Sequence, residues 1–385
     1  MDPFFNYDDL TWPEVEALPR ETPLIVPLGS GFNTQLLASA LGNPASIGLL
    51  PVMPFGWRGS GIEVPPILLG RYVGNLLGSL EKQGFTRTYA LTSLEKIPLL
   101  PQESLLVQPR SAEADNFLAF PSDGDRDKVI LIPIGHTEQH GLHLPLSVDT
   151  IIIDAISRGT AASLPDKAVS LPVMPYGVST HTASFPGTLD AGGRTFEDFW
   201  VSAIDFLVGR GFDRFYLMSG HGGNVSFLVN VVKFAGERHR RIFCATASLH
   251  TSGPLGAASL EKYRTSAIGG MGHACELETS LMLRLRPELC HMDRVVDETD
   301  FISTPSYYMD WIEGGSLIAN PPWDDDTRTG AYGAGSHGSA EKGRIWLSAA
   351  IEEKAGHVLE IHEQQARREA RRNAGFGRWG ASRRS

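Results

Sequence analysis

An α/β sandwich on a mostly parallel sheet is the fold this chain predicts, and three features carry that expectation. Between about residues 128 and 361, short apolar runs alternate with longer amphipathic ones, as when buried strands are joined by surface helices. Lys128 to Ile134 (KVILIPI) and Phe212 to Met218 (FDRFYLM) have the length and apolar content of strands covered on both faces; the first ends at Gly135 and the second at Ser219-Gly220. Thr195 to Val208 between them has helical periodicity and stops at Gly211. In open parallel sheets ligands bind beyond the carboxyl ends of the strands, so chemistry is expected just after these two runs.

Residues 1–125 read as a degenerate partial copy of residues 126–363. Leu24-Ile25-Val26-Pro27-Leu28-Gly29 parallels Leu131-Ile132-Pro133-Ile134-Gly135, Val52 to Gly56 parallels Val173 to Gly177, and Gly84 to Tyr89 parallels Gly211 to Tyr216, all in the same order. Phe32, Thr34 and Leu94 occupy the positions of Glu138, His140 and His221. None of these is a metal ligand of that kind, so catalysis is expected in residues 126–363 alone. Pro121 to Asp127 (PSDGDRD) is polar and turn-forming, a natural linker. Residues 364–385, dense in arginine with Gly and Ser, are expected to form a frayed helix end running into a basic mobile tail.

With 42% hydrophobic and 20% charged residues over 385 positions, the chain can bury a large core and needs no disorder. Its net charge of -10 argues against nucleic acid as partner, because phosphate binding requires a basic face; a small molecule is the expected ligand. Cys244, Cys275 and Cys290 are odd in number and irregularly spaced, which implies no disulfide framework. Met1 to Phe5 is not the start of a secretory signal and no apolar run is long enough to span a membrane, so a cytoplasmic location is expected.

Three clusters carry the chemistry. Gly135 to Asp149 (GHTEQHGLHLPLSVD) packs three imidazoles and two carboxylates between glycines and a proline. These donors suit zinc, manganese or iron(II), and a carboxylate can bridge two ions. His136 and His140 are four apart, but the order His-x-Glu-x-His and the flanking glycines exclude a zincin helix; in an extended segment Glu138 and His140 project to one side. Ser219 to Asn224 (SGHGGN) is a glycine-rich turn after a buried strand. The oxyanion hole of an esterase also uses His-Gly-Gly, but the chain has no Gly-x-Ser-x-Gly elbow. In Gly272 to Ser280 (GHACELETS), acidic residues open an apolar helix, where they also favour the helix dipole; that simpler role is assigned to Glu278.

The ordered set GHTEQHGLHLPLSVD, YGVSTHTASFPGT, SGHGGN, HACELETSLML and SAEKG, covering about Lys128 to Ile361, resembles the creatininase (creatinine amidohydrolase) family. The resemblance implies a three-layer α/β/α sandwich holding two divalent ions (Zn, Mn or Fe). It implies Glu138 and His221 on one ion, His140 on the other, and Asp149 bridging both. Creatininase itself takes a further carboxylate from the histidine turn, where this chain has Gly223; relatives with His-Gly-Gly-Asn use the glutamate corresponding to Glu276. His273 falls where the family has its proton-transferring histidine, and His181 is a candidate substrate contact. Residues Leu255 to Gly270 and Tyr307 to Asp326, with Trp311 and Trp323, are expected to build the substrate pocket.

The family activity implied is metal-dependent hydrolysis of an amide, lactam or formamide in a small cyclic substrate. A second reading is ring opening at a carbon-carbon bond of a cyclic polyhydroxy diketone, as in 3-dehydro-scyllo-inosose hydrolase; a third is a non-catalytic metal-binding partner subunit. Family members form closed homo-oligomers, so assembly up to a hexamer is expected.

Overall fold

A computed structural model of the chain describes residues 2–92, 100, 104–107, 121–247, 249, 253–312 and 314–376. The first sheet joins β1 (Phe4–Asn6), β2 (Leu24–Pro27), β3 (Ile47–Leu49), β4 (Thr88–Thr92) and β5 (Ser104–Leu106). All pairs are parallel, in the order β1-β3-β2-β4-β5, and α1 (Trp12–Glu16), α2 (Thr34–Ala40) and α3 (Pro66–Lys82) lie in the connections. The second sheet contains β6 (Val129–Ile134), β7 (Ala168–Ser170), β8 (Arg214–Ser219) and β9 (Phe243–Ala247), parallel in the order β7-β6-β8-β9. Its crossovers are α4 (Val148–Ser163), α5 (Gly193–Gly209) and α6 (Val225–Arg238). Beyond it lie α7 (Pro254–Tyr263), the antiparallel pair of β10 (Met271–His273) and β11 (Tyr332–Gly333), α8 (Glu276–Leu285) and α9 (Ala340–Asn373).

The uninterrupted apolar run of β6 is wholly buried because helices cover both faces of its sheet. On one side α4, α8 and α9 bury Ile152, Leu281 and Trp346. On the other, α3 and α5 meet, and Phe55, Tyr72, Leu76, Phe199 and Trp200 share a continuous core with Ile132 and Leu217. The two sheets are therefore joined through one core and not merely tethered by the segment near residue 125. The parallel sheets flanked by helices match the α/β fold expected.

Local details recur between the two sheets. The order β3-β2-β4-β5 repeats as β7-β6-β8-β9. Gly29 N donates to Met53 O at 3.1 Å and Met53 N to Pro27 O at 2.9 Å; correspondingly, Gly135 N donates to Met174 O at 2.8 Å and Met174 N to Pro133 O at 3.0 Å. Gly84 and Gly211 both take positive φ, 91° and 94°, where a side chain would be strained. Of the three residues expected opposite Glu138, His140 and His221, Phe32 packs on the core beneath α2 and Thr34 opens that helix; Leu94 lies outside the described residues.

The C-terminal boundary differs from expectation. Residues 364–373 continue α9, and Gln365 is fully buried, its Nε2 donating to Asp213 Oδ2 at 2.9 Å and Arg241 O at 2.7 Å. The arginines tolerate this packing because their stems lie on the protein while the charges stay outside; Arg368 sits over the Phe243 ring. Residues 377–385 lie outside the described residues. No described helix is long and apolar enough to cross a membrane.

Candidate metal centre

The two buried strands deliver their cargo at the expected edge. After β6 the chain runs through Gly135 and a loop carrying His136, Glu138 and His140, then enters α4, whose second residue is Asp149. After β8, Gly220 and His221 follow directly. These crossings are close: a Cβ on Gly135 would meet Thr150, and one on Gly220 would meet the carbonyl of Asp149. β10 brings His273, and the first turn of α8 brings Glu278.

His221 Nδ1 lies 2.9 Å from Glu138 Oε1 and 3.2 Å from Asp149 Oδ2, and His140 Nε2 lies 3.3 Å from Asp149 Oδ1. His273 Nδ1 is 3.7 Å from Glu138 Oε1. Among the described residues, three groups have ligand atoms close enough to hold an ion: His136, Glu138 and His221; Glu138, His140 and His273; and His140, Asp149 and Glu278. All seven side chains are buried.

Ring hydrogen bonds decide which imidazoles can ligate. His140 Nδ1 donates to Glu138 O at 3.1 Å, His221 Nε2 to Val178 O at 3.0 Å, and His273 Nε2 to Gln139 O at 2.7 Å. A backbone carbonyl accepts only a proton, so each neutral ring turns the lone pair of its other nitrogen into the site. His136 has the opposite arrangement, since its Nδ1 accepts from Gly177 N at 2.9 Å. Its Nε2 then carries the proton, 4.0 Å from Glu138 Oε2, and the ring supports the carboxylate without ligating.

Glu138 Oε1, His140 Nε2 and Asp149 Oδ2 are buried without a hydrogen bond. Orphaned acceptors are costly, and a cluster of them turned toward one point fits a cation. The charges agree. Burial pushes the Glu138 carboxyl up, but His221, His273 and His136 outweigh it and hold it well below its ordinary value. Burial likewise opposes ionisation of His140, yet Asp149 raises it to about 9. Burial depresses His273 to about 3, with His140 adding to the effect. Glu278 is raised to about 7 by burial, partly offset by His140 and reinforced by Asp149 and Glu138.

The family model described as "Creatininase: Creatinine amidohydrolase" matches residues 119–358, a span that contains all of these donors. The chain belongs to the creatininase family. It is 29% identical over 254 residues to the creatinine amidohydrolase of Pseudomonas putida, covering 61% of this chain and 90% of that protein. It is 33% identical over 177 residues to a mycofactocin precursor peptide peptidase of Mycobacterium ulcerans, covering 43% of this chain and 62% of that one. The 3-dehydro-scyllo-inosose hydrolase of Thermotoga maritima is 28% identical over 235 residues, covering 59% and 72%. Among solved structures, a manganese creatininase superposes with TM-score 0.53 at 26% identity, covering 62% of this chain and 92% of that one. A zinc form of a creatininase variant superposes at 0.52. Residues before 119 lie outside the family match.

Within this creatininase-family fold Glu276, one of the expected ligands, lies outside the donor cluster, and Glu278 lies in it. Glu276 points away: its carboxylate accepts from Lys342 Nζ at 2.5 Å, from Thr265 N at 2.9 Å and from Ser266 N at 2.8 Å. Glu278 reaches His140 and Asp149 instead. Residues two apart on a helix diverge by about 200°, so both cannot face one centre. The readable signal is the stripe Glu278, Leu281, Met282 and Leu285, which puts Glu278 on the sheet-facing side, whereas Glu276 shares the polar side with Ser280.

The remaining expected residues divide. Trp323 stacks on Tyr332 at 4.4 Å, meets His273 edge-on at 5.0 Å and lies tilted against His181 at 4.5 Å, forming one wall of the site. His181 lies parallel to His221 at 6.0 Å. Trp311 borders the histidine turn at Gly222. In residues 255–270, Thr265 and Ser266 hold Glu276 rather than facing the ligand cluster. A cavity of about 180 Å³ is lined by Phe301, Tyr307, Tyr308, Met309 and Tyr332, the last of which packs on Trp323.

Proposed function

We propose that this creatininase-family hydrolase holds two divalent ions (Zn, Mn or Fe) and opens an amide, lactam or formamide bond in a small, cyclic substrate. The observation that carries the reading is the set of buried, unpartnered donor atoms of Glu138, His140 and Asp149, with His221 turned toward them. Glu138 and His221 would hold one ion, His140 and Glu278 the other, with Asp149 between them. Bound there, such a pair supplies acidified water and polarises a carbonyl.

The protein's own residues do the rest. With Nε2–H fixed by Gln139 O, His273 has an unprotonated Nδ1 beside Glu138, so it would take at that atom the proton given up by the attacking water and pass it to the leaving nitrogen. An amine leaves poorly without that proton, so His273 completes the reaction. Trp323 with His181 would flank the bound ring, and Trp311 would close the side next to Gly222.

A second reading, cleavage of a cyclic polyhydroxy diketone, is supported by similarity to the Thermotoga maritima hydrolase. The same centre would serve it, since a carbonyl is again the group attacked. Purified protein assayed for metal by mass spectrometry should carry two ions per chain. A panel of lactams, formamides, creatinine and cyclic diketones, scored for new amine against new carboxylate, separates the two chemistries. Fewer than one ion per chain, with no turnover on metal addition, would overturn the reading and favour a non-catalytic partner.

The repeated strand order and paired hydrogen bonds support reading residues 1–125 as a degenerate copy that kept its scaffold and lost its ligands. Assembly into a homo-oligomer, a hexamer or smaller, is part of the same proposal, with mass in solution as its test.

A further inference from the structure

Among the described residues, two contacts of the N-terminal unit reach the segments that hold the candidate metal centre most directly. Residues Asp8 to Trp12 run beside the segment that leads into α4: Ser147 N donates to Asp8 O at 3.1 Å, Leu146 N to Leu10 O at 2.9 Å, and Trp12 Nε1 to Thr329 O at 2.8 Å. The second contact is made by Gln83, which caps the C-terminus of α3. Its Oε1 accepts from Gly187 N at 2.9 Å, and its Nε2 donates to Thr188 O at 2.8 Å. One side-chain amide thus grips two consecutive residues of the loop over the site.

That loop in turn holds the ligand segment. Thr188 Oγ1 accepts from Gln139 N at 3.2 Å, and Leu189 N donates to Thr137 O at 3.1 Å. Thr182 Oγ1, 3.4 Å from Thr188 Oγ1, donates to Glu138 Oε2 at 3.1 Å. Gln139 O is the carbonyl that fixes the tautomer of His273. Gly187 has φ of 92°, and a Cβ there would meet the buried Leu146 side chain, so the turn favours glycine. Thr188 and Thr182 are buried, so no bulk water replaces a lost bond in this chain of contacts.

We infer that Gln83 is a positioning residue for Glu138 and His273, supplied by the degenerate unit to the active unit of the same chain. The inference rests on the proposal that Glu138 binds a metal ion. Outer-shell partners that orient ligands are worth about 10- to 100-fold in metal affinity. Asn75 gives the matched control, because its Nδ2 donates to Ala191 O at 2.7 Å across the same interface but downstream of the loop.

Zinc affinity of metal-stripped full-length protein is measured by competition with a chromophoric chelator, alongside thermal melting, for wild type, Q83A, Q83E and N75A. Q83A is expected to lose about 10- to 100-fold in affinity, and N75A to melt lower yet bind as wild type. Q83E, which can still accept from Gly187 N but not donate to Thr188 O, is expected between the two, and it carries the test if Q83A does not fold. Wild-type affinity in both Gln83 variants, or equal losses in Q83A and N75A, overturns the positioning role. Absence of zinc binding by the wild type overturns the metal reading itself, a different and separately visible result.

Discussion

Replacing Glu278 by glutamine, with Glu276→Gln beside it, discriminates the two carboxylates of α8. In the metal-free protein Glu278 is raised to about 7 and His140 to about 9. An ion that takes both must displace two protons below pH 7 and one between pH 7 and 9. Each displaced proton weakens apparent affinity by about tenfold per pH unit. Wild-type affinity at this ion should therefore fall about a hundredfold per unit below pH 7, and about tenfold per unit above it. E278Q removes one titrating ligand: the steeper limb should flatten to about tenfold per unit. At pH 8, where Glu278 is ionised, affinity should be lower by at least about a hundredfold, the upper end of what losing a mere supporting contact costs. E276Q should leave both slopes intact. It should instead destabilise the fold, by about 3 kcal/mol, because Lys342 loses its buried partner. Chelator competition with zinc between pH 6 and 8.5 reads the slopes, and urea unfolding reads the stability. If E276Q lost affinity and slope while E278Q bound like wild type, the assignment of Glu278 to the centre would be refuted.

Other consequences are equally direct. Gly223→Ala would drive a Cβ into Val178 O and His221 Nε2, displacing the ring; metal analysis should give one ion per chain in place of two, and two retained ions would contradict the geometry. His273→Asn should cut kcat by about 10²- to 10⁴-fold with metal content unchanged, and an enzyme of undiminished rate would remove His273 from proton transfer. Because the folded-state value of Glu278 lies above its unfolded value, the stability it contributes is present in acid and is lost as pH rises from about 4.5 through about 7. The difference in unfolding free energy between metal-free wild type and E278Q should follow that window, and a pH-independent difference would show Glu278 to be titrating normally.

Much of the site was legible because strand ends and glycines constrain the chain locally. The apolar runs at 129–134 and 215–218 have the length and flanking turns of strands buried on both faces, so the polar residues after them were expected to gather at one sheet edge. Glu138, His140, Asp149 and His221 do gather there. The tautomers were not legible, since they depend on Val178 O, Gln139 O and Gly177 N, backbone groups supplied by other stretches of the chain. Nor was the part played by Gln83, an ordinary helix-end residue until it meets a loop 105 positions away.

The sequence alone determined the α/β class, the sheet edge at which the polar residues gather and the donor types, because these follow from periodicity, burial and ligand chemistry within short segments. Tertiary structure decided which glutamate of Glu276-Leu277-Glu278 faces the donors, how the last arginine-rich helix packs, and what braces the ligand loop. Those choices turn on the rotation of a helix against its neighbours: Lys342 and the amides of Thr265 and Ser266 claim Glu276, leaving Glu278 to His140 and Asp149.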